Sequence, residues 1–536
     1  MRPRLDRVLV VAVAVLGIAA PAANAAFGIS DFTADVYKSD GTTVETQAGA
    51  HPFTGVTSFK FNTTALGTPD GNVKTVRVDL PPGLVSNPLA TPQCPQEAFP
   101  SCPLDTQLGT ETLTTPLGTL PPLPVFNMVP QNGQVSDFAF NAPVFGRSDI
   151  VGGLRGTTDY GLFFTISDIP QNANLVASRL EFWGIPADPA HDAARGGPSD
   201  APRKPFLTLP TACAGPQTTT LSVTSYSDEA ATRSATTATG ASGCDTLPFS
   251  PTLSAVADGH TSAADGAGLT VTLEQPEEQA NVRSVSVVLP KELTARGSTV
   301  AGACPEQTFQ ADPAGCAAAQ VGTVSSASPL LAGTLDGPAY LVAHPTGLPT
   351  LEAVLTAPGL LIRLTGTITF AAAGLTSTFA TVPDLPITRF ALTLPTGPHS
   401  ALSSTRGVCS GPLTMATTIT GQNGAQIGQS TPISVTGCPA SKPAGLKLRI
   451  LRARVRGSRV VLTVKVPRAG RLVASGKNLR RTSVRVPRAR TVTMKVKLSK
   501  SGAKRRHRLH RAHKRLKVHV RLRLGTLVAS RFVTFR

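Results

Sequence analysis

Two stretches of the chain share one pattern of apolar and polar residues. VKTVRVDLP occupies residues 73–81 and VRSVSVVLP occupies residues 282–290, and each alternates apolar with polar positions before it ends at Leu-Pro. The alternation indicates a half-buried strand, which ends there because proline cannot extend a hydrogen-bond ladder. A Cys-Pro dipeptide follows each stretch, at Cys94 and Cys304. The pattern therefore predicts the same strand and the same cysteine turn in two places.

The match between the two regions extends well beyond these strands. The spacing between matched positions grows slowly along the chain and never shrinks, as small loop insertions after a duplication would produce. The matched pairs include Leu80 with Leu289, Cys94 with Cys304, Gly109 with Gly322, Leu120 with Leu335 and Asp168 with Asp384. We therefore predict two copies of one unit, at residues 26–245 and 246–438.

The composition predicts an all-β fold. The chain contains 48 glycines and 46 prolines, and Val and Thr are abundant between these turn residues, which is typical of many short strands. Each predicted unit is about twice the length of a sandwich of about 100 residues. We therefore expect two tandem β-sandwich repeat units, and each repeat is either one sandwich or two packed sandwiches.

A third region follows a short Pro/Ala linker at residues 439–445. Its hydrophobic residues alternate over seven short segments, which is the strand number of an immunoglobulin-like sandwich. The predicted strands lie at residues 446–455, 459–466, 470–475, 482–486, 491–498, 516–524 and 526–535. We therefore predict a folded immunoglobulin-like domain at residues 439–536, because a disordered basic tail would lack buried strands.

Charge divides the chain into two very different parts. Residues 439–536 contain 31 Lys and Arg and no Asp or Glu, whereas residues 1–438 contain 20 basic and 32 acidic side chains. The last acidic residue of the chain is Asp384. A mildly acidic body thus carries an intensely basic C-terminal domain.

The first 25 residues have the pattern of an export signal. Arg2, Arg4 and Arg7 precede an uninterrupted apolar run at residues 8–20, and Ala23-Asn24-Ala25 provides a small-x-small cleavage site. The run is shorter than the roughly 20 residues that a membrane-spanning helix needs. A cleaved signal peptide at residues 1–25 is the prediction, and an uncleaved N-terminal anchor is the alternative.

The cysteines agree with export. Four fall in each predicted repeat, and they are Cys94, Cys102, Cys213, Cys244, Cys304, Cys316, Cys409 and Cys438. If each repeat pairs internally, three connectivities remain per repeat, and sequence proximity favours Cys94–Cys102, Cys213–Cys244, Cys304–Cys316 and Cys409–Cys438. The spacings do not match zinc-binding CxxC pairs, so we expect disulfides in an oxidising compartment and no metal.

One loop carries residues suited to catalysis or metal binding. The stretch FWGIPADPAHD at residues 182–192 contains the only tryptophan, Trp183, together with Asp188, His191 and Asp192. Two carboxylates and an imidazole can ligate a metal or act as an acid-base pair. The competing interpretation is a proline-rich loop whose aspartates cap turns and whose tryptophan packs on the sandwich. The second copy retains a histidine, His399, but neither aspartate, so we favour the structural interpretation.

The basic C-terminal domain suggests an anionic partner. The densest run of positive charge, at residues 499–514, predicts either a short helix or a long basic loop. We expect polyanions such as envelope polymers or lipid headgroups to bind through electrostatic attraction and counterion release. The predicted polyanion-binding residues are Lys504, Arg505, Arg506, Arg508, Arg511, Lys514, Arg515 and Lys517. The alternative is a solvated face that only maintains solubility, and nucleic acid is not expected because no aromatic residues are interleaved for base stacking.

Three longer stretches carry a family resemblance. They are QAGAHPF at residues 47–53, DLPPGLVSNPLATPQCP at residues 79–95 and FWGIPADPAHDAAR at residues 182–195. On these residues the chain resembles a family of exported β-sandwich-repeat proteins of high-GC Gram-positive bacteria with a C-terminal immunoglobulin-like basic module. The resemblance implies no activity and brings no site residues.

These observations lead to one main functional hypothesis. We expect a non-enzymatic exported protein of the cell surface or cell wall, without a cofactor, whose basic domain holds to anionic envelope polymers. The alternative hypothesis is a secreted carbohydrate-active or metal-dependent enzyme that uses Asp188, His191 and Asp192. The first hypothesis is favoured because the sequence lacks the common nucleophile, phosphate-binding and zinc-protease motifs.

Overall fold

The fold was determined from a computed structural model that describes residues 26–143, 145–156, 158–237, 240–372, 374–438 and 446–536. The predicted export signal and the predicted linker at residues 439–445 lie outside these ranges. The described chain is all-β, as predicted, and it falls into two compact units, one ending at Cys438 and one beyond it. We call residues 26–245 the first repeat, residues 246–438 the second repeat and residues 446–536 the C-terminal unit.

The first repeat consists of short strands and one helical turn. The strands are β1 Ile29–Tyr37, β2 Thr54–Phe61, β3 Val73–Asp79, β4 Val85–Ser86, β5 Gln107–Thr115, β6 Gly118–Thr119, β7 Leu123–Met128, β8 Ser136–Ala142, β9 Gly146–Leu154, β10 Leu162–Ile166, β11 Ala177–Trp183, β12 Leu207–Thr208, β13 Thr218–Ser225 and β14 Ala230–Thr236, and α1 is Asp192–Arg195.

The second repeat has a similar set of elements. The strands are β15 Thr252–Asp258, β16 Leu269–Glu274, β17 Val282–Val288, β18 Leu293–Ala295, β19 Cys304–Pro305, β20 Gln320–Ala327, β21 Thr334–Ala343, β22 Thr350–Ala357, β23 Leu360–Ala371, β24 Gly374–Phe379, β25 Arg389–Leu394, β26 Leu402–Ser404, β27 Leu413–Gly421 and β28 Gln426–Thr436, and the helices are α2 Gly297–Ala301 and α3 Glu306–Ala311.

The two repeats have the same strand order, as expected for copies of one unit. The first repeat runs β1-β2-β11-β5-β7-β8-β9-β10-β3-β13-β14, and the second runs β15-β16-β25-β20-β21-β22-β23-β24-β17-β27-β28. The repeated sequence stretches form β3 and β17, which hold the same place in this order. Each repeat is thus one continuous sheet that curls around a single core, and not two packed sandwiches.

The last step of closure differs between the repeats. In the second repeat β15 pairs in parallel with β28, so the sheet closes into a ring of hydrogen-bonded strands. In the first repeat Arg233 on β14 reaches β1 with its side chain and donates hydrogen bonds to the carbonyl oxygens of Ile29 and Ser30 at 3.1 and 2.6 Å. Either way the inward-facing side chains form a hydrophobic interior, which we call the lumen of the repeat.

A half-buried carboxylate joins the two repeats. Asp384 of the second repeat accepts hydrogen bonds from the backbone nitrogen and hydroxyl of Thr211 in the first repeat, at 2.8 and 2.6 Å. It also accepts from Ala212 N at 3.1 Å and from Asn281 Nδ2 at 2.8 Å. Burial raises the pKa of Asp384 despite these donors. The matched residue of the first repeat, Asp168, begins an equivalent Asp-apolar-Pro turn but has positive φ and is exposed, so the joint uses only one of the two copies.

All eight cysteines form the disulfides that sequence proximity favoured. The pairs are Cys94–Cys102, Cys213–Cys244, Cys304–Cys316 and Cys409–Cys438. Disulfides of this number are typical of proteins that fold in oxidising compartments. The described part of the chain holds no helix with the length and apolar character needed to cross a membrane.

The C-terminal unit is a two-sheet sandwich of seven strands, as predicted. The strands are β29 Arg449–Arg456, β30 Arg459–Val466, β31 Gly470–Ser475, β32 Thr482–Val486, β33 Arg490–Lys497, β34 Leu516–Leu524 and β35 Leu527–Phe535, and α4 is Lys500–Arg511. One sheet runs β29-β30-β33 and the other runs β32-β31-β34-β35 around an apolar core. The fourth strand pairs with the third and not with the fifth, which distinguishes the unit from the constant-type immunoglobulin arrangement.

Candidate functional site

The three-stranded sheet of the C-terminal unit presents a face of positive charge. Its inward residues, such as Val460, Leu462 and Val464, are fully buried, so the residues between them point outward. We call the exposed basic residues of the outer surface the cationic sheet face; they are Arg449, Arg452, Arg454, Arg456, Arg459, Lys465, Lys495 and Lys497.

Strand register places these cations in rows. Arg456 lies opposite Arg459, and Arg459 lies opposite Lys497 on the third strand. Directly opposed side chains have Cβ atoms about 4.5–5.5 Å apart, and like charges at that distance destabilise a sheet. Because the C-terminal unit contains no Asp or Glu, no carboxylate side chain of the unit offsets this repulsion. A bound anionic ligand would offset the repulsion.

A bulge keeps one further arginine on this face. Arg449 and Arg452 are three positions apart and would point to opposite sides of a regular strand. The register of β29 shifts between Ile450 and Arg452, with Leu451 as the extra, exposed residue. The bulge restores the alternation, so Arg449 lies opposite Lys465 on the same face as Arg452.

The helix α4 carries most of the predicted polyanion-binding residues. Ser499 caps its N-terminus by accepting a hydrogen bond from Gly502 N at 3.0 Å, and this settles the choice between helix and loop. Lys504, Arg505, Arg508 and Arg511 are exposed along the helix. They therefore form a second, curved group of cations.

The remaining predicted residues do not form one cluster with them. Arg506 points inward, packs over the Phe535 ring at 5.9 Å and donates to the carbonyl oxygens of Arg536 and Gly457. Lys514 and Arg515 are exposed after the helix, and Lys517 lies on the four-stranded sheet, with Nζ 4.8 Å from the centre of the Phe532 ring. The cationic sheet face was not predicted, because the densest run of charge in the sequence lies elsewhere, in α4 and the residues after it. Arginine and lysine at alternate positions of three predicted strands were the signal.

The loop with Asp188, His191 and Asp192 forms a structural assembly. Asp188 accepts a hydrogen bond from Ala190 N at 2.9 Å and pairs with Arg203. Asp192 pairs with the buried Arg195 at 2.7 Å. Each carboxylate thus caps a turn or neutralises an arginine, as the structural interpretation expected.

His191 is enclosed by aromatic rings. Its ring stacks on Trp183 with centroids 4.7 Å apart and on Phe53 at 4.4 Å, and only 3% of the residue is exposed. Burial lowers the pKa of His191 to about 4. The Arg195 guanidinium also lies over the Trp183 ring, 5.4 Å from its centre. Within the ranges described above, no three metal-binding side chains converge here or elsewhere.

A polar network that the sequence did not indicate lies beside the cysteine turn of the second repeat. His344 Nδ1 lies 3.2 Å from Glu306 Oε2, and its Nε2 lies 2.9 Å from Thr350 Oγ1. A hydroxyl, an imidazole and a carboxylate in this order resemble a nucleophile with its base. However, Thr350 donates its proton to Glu352 at 2.6 Å, and Thr365 donates to the other oxygen of Glu352 at 2.8 Å. The hydroxyl is therefore not oriented toward His344, and the network links the turn to β22 and β23.

The matching position of the first repeat has different chemistry. Gln96, two residues after Cys94, donates to Asp137 Oδ2 at 3.1 Å, and Arg147 lies 3.7 Å from the same carboxylate. Burial raises the pKa of Asp137 to about 6. Both cysteine turns therefore sit on a polar cluster, but the residue types are not shared.

A buried carboxyl occupies the lumen of the first repeat. Glu111 points inward from β5, is 1% exposed and accepts a hydrogen bond from Ser178 on β11 at 2.7 Å. Burial raises the pKa of Glu111 to about 8. In the second repeat the matching positions are Val324 on β20 and Phe390 on β25. The polar pair borders a cavity of about 110 Å³.

Comparisons with known proteins give weak similarities. No family model and no curated protein matches the chain. Among solved structures it is similar to a tetra-tandem repeat from the extending region of a large adhesion protein, with 11% identity over 95% of this chain and 99% of that chain, at a TM-score of 0.13. It is also similar to dimeric latent PorU from Porphyromonas gingivalis, with 7% identity over 95% and 33% of the two chains at a TM-score of 0.14. Red sea bream transglutaminase shares 10% identity over 86% and 57%, at a TM-score of 0.12.

Proposed function

We propose that this protein is an exported, non-enzymatic surface protein whose C-terminal unit binds anionic polymers of the cell envelope through the cationic sheet face. The observation that carries the proposal is the set of opposed cations on three neighbouring strands in a unit without a single Asp or Glu. Repulsion within these rows is relieved when a polyanion lies across them, and released counterions add to the affinity.

The geometry suits a chain of phosphate or carboxylate groups. Strands lie about 4.8 Å apart, and outward residues on one strand repeat every ~6.8 Å. The cations therefore form a flat, two-dimensional array that contacts several groups of one polymer at once. The two disulfide-bonded repeats then contribute no part of the binding surface, and Asp188 and His191 of the first repeat are held in structural contacts.

Binding to long-chain inorganic polyphosphate across a NaCl series tests the proposal. The full chain should bind, and a version ending at Cys438 should not. In the full chain, a face variant converts Arg452, Arg454, Arg456 and Lys495 to Gln. It should make the negative slope of log affinity against log salt shallower by about 3, since each lost phosphate contact removes about 0.7–0.9 from the magnitude of the slope.

A helix variant provides the matched control. Converting Lys504, Arg505, Arg508 and Arg511 to Gln removes the same net charge from α4, so a smaller change in slope is expected. Equal effects of the two variants would mean that total charge, and not the face, drives binding. Binding to isolated envelopes that does not depend on salt, or that survives removal of the C-terminal unit, would contradict the proposal. Tighter binding to anionic lipid vesicles than to polyphosphate would point to a membrane instead.

A further inference from the structure

The lumen of the second repeat is partly empty. A cavity of about 250 Å³ lies in it, lined mainly by Leu, Val, Ile and Phe side chains of nine strands. At one end Leu154, Leu162 and Phe164 of the first repeat complete the lining. Protein interiors normally leave few voids larger than a water molecule, so a cavity of this size is a feature that needs a reason.

The first repeat leaves less space in the same fold, a cavity of about 110 Å³. There Phe138, Phe164, Phe182 and Phe206 form one aromatic cluster with ring centroids 5.3–6.0 Å apart. Strand register identifies the matching residues of the second repeat. Phe138 corresponds to Leu351, Phe164 to Ser377 and Phe182 to Leu394.

All three replacements are smaller, and all three line the cavity. The cavity therefore lies where the other copy of the same unit places aromatic rings. The first repeat keeps a cavity of about 110 Å³ beside Phe164 and Phe182, and the cavity of the second repeat is more than twice as large.

The cavity contains one polar group without a partner. The Ser377 hydroxyl is buried and has no hydrogen-bond partner among the described residues. A buried hydroxyl without a partner costs free energy, and the cost is removed when a ligand supplies an acceptor or donor. Its neighbours on the strand, Leu375 and Phe379, also line the cavity.

The cavity opens at the end where Leu348 and Phe370 lie. Both residues line it, yet they are 40% and 55% exposed. Phe370 on β23 pairs with Leu375 on β24. Ser377 is the next inward position of β24 after Leu375, about 7 Å further inside at ~3.4 Å per residue. An apolar ligand entering here would bring a polar atom near its outer end within reach of Ser377.

From these contacts we propose that the second repeat binds an aliphatic chain that carries a hydroxyl or ester oxygen near one end. The cavity is about 250 Å³, and one water occupies ~30 Å³ in the liquid, so it holds roughly eight to ten non-hydrogen atoms. Apolar cavities of comparable volume bind apolar molecules. This activity is independent of polyanion binding by the C-terminal unit.

Neutral primary alcohols test the proposal with the full chain. They avoid the basic C-terminal unit, which would attract fatty-acid carboxylates. Calorimetric titration with 1-butanol, 1-hexanol and 1-octanol, which all fit this size, should show affinity rising about fourfold for each added CH₂, as expected when a methylene leaves water for an apolar site. The affinity should not depend on salt, and the heat-capacity change should be negative.

Two variants close the cavity with residues of the first repeat. Ser377→Phe and Leu351→Phe each introduce the aromatic ring found at the matching position, and each should weaken 1-octanol binding at least tenfold. Thr376→Phe is the matched control, because Thr376 faces outward on the same strand, next to Ser377. It should leave binding unchanged.

A photoreactive diazirine alcohol gives a result that does not depend on the variants folding. Its label should map to peptides of β22, β23 and β24 in the natural chain. Labelling elsewhere, no gain in affinity with chain length, or equal binding by the natural chain and a folded Ser377→Phe variant would overturn the proposal.

Discussion

Replacing Glu111 by Gln should remove a penalty that the first repeat carries at neutral and alkaline pH. Glu111 is buried in an apolar lumen, where its charged form is poorly solvated, and burial raises its pKa to about 8 from the ordinary 4.5. In the unfolded chain the same carboxyl ionises near 4.5. The native state therefore holds a proton that the unfolded state has lost throughout the range between these two values.

The sign of the effect follows from this difference. Below pH 4.5 both states are protonated and the carboxyl does not affect stability. Between pH 4.5 and about 8 the native state binds more protons, so the free energy of unfolding falls as pH rises. At 1.36 kcal/mol per pKa unit the full loss is on the order of 5 kcal/mol. Gln keeps the size of the side chain and the hydrogen bond from Ser178 but cannot ionise.

The assay follows the fluorescence of Trp183, the only tryptophan of the chain. It is buried in the first repeat, so its emission reports unfolding of that repeat and not of the C-terminal unit. Urea unfolding with intact disulfides at pH 5, 6, 7, 8 and 9 should show that the variant gains stability relative to the natural chain as pH rises to about 8. The Glu111→Gln variant should be more stable than the natural chain at pH 8 by several kcal/mol and nearly equal to it at pH 5.

A matched variant separates charge from packing. Val324→Gln introduces the same amide at the equivalent position of the second repeat, where no carboxyl is removed, so it should not alter the pH profile. If the Glu111→Gln variant and the natural chain lose stability in parallel from pH 5 to pH 8, Glu111 is ionised in the folded protein and the assignment of a neutral, buried carboxyl is wrong.

Three further substitutions probe other parts of the fold. Asp384→Ala leaves the donors of Thr211 unpaired at the joint between the repeats and should cost about 3 kcal/mol, seen by urea unfolding; an unchanged midpoint would mean that the carboxylate does not hold the joint. His191→Phe keeps the aromatic stack and should gain stability relative to the natural chain, by on the order of 3 kcal/mol, as pH falls from 6.5 to about 4; the Trp183 transition measures this difference, and parallel profiles would contradict it. Gly502→Ala places a Cβ 2.2 Å from the carbonyl oxygen of Asn478. The clash should cost about 1–3 kcal/mol, which outweighs the ~1 kcal/mol gained in helix propensity. Hydrogen exchange in β34 should therefore become faster, and slower exchange would refute the close contact.

Local patterns predicted the elements well. Alternation placed β3 and β17 and the seven strands of the C-terminal unit, because a half-buried strand needs only its own sequence to show its apolar face. Short sequence separation predicted all four disulfides, since short loops are the least costly to close. The duplication was visible because each copy kept its Leu-Pro and Cys-Pro turns.

The joints and sites depended on distant partners and were not predicted. Closure of each repeat into one curled sheet requires strands far apart in sequence to pair, as β15 does with β28. The network of His344 joins Glu306 and Thr350 from separate elements. A single histidine in the sequence does not predict such partners. Arg449 lies on the cationic sheet face only because of the bulge at Leu451, and periodicity cannot locate such an extra residue.

The two repeats separate the requirements of the fold from those of function. Both copies have the same strand order, so inward-facing residues that differ between matched positions are not required for the topology. Glu111 and Ser178 in the first lumen occupy the positions that Val324 and Phe390 occupy in the second, and Phe164 matches Ser377 in the same way. Each copy thus carries polar groups where its twin is apolar, at a cost in stability that the fold alone does not require. For Ser377, a bound ligand that satisfies the hydroxyl and fills the space around it is the physical compensation that the structure allows.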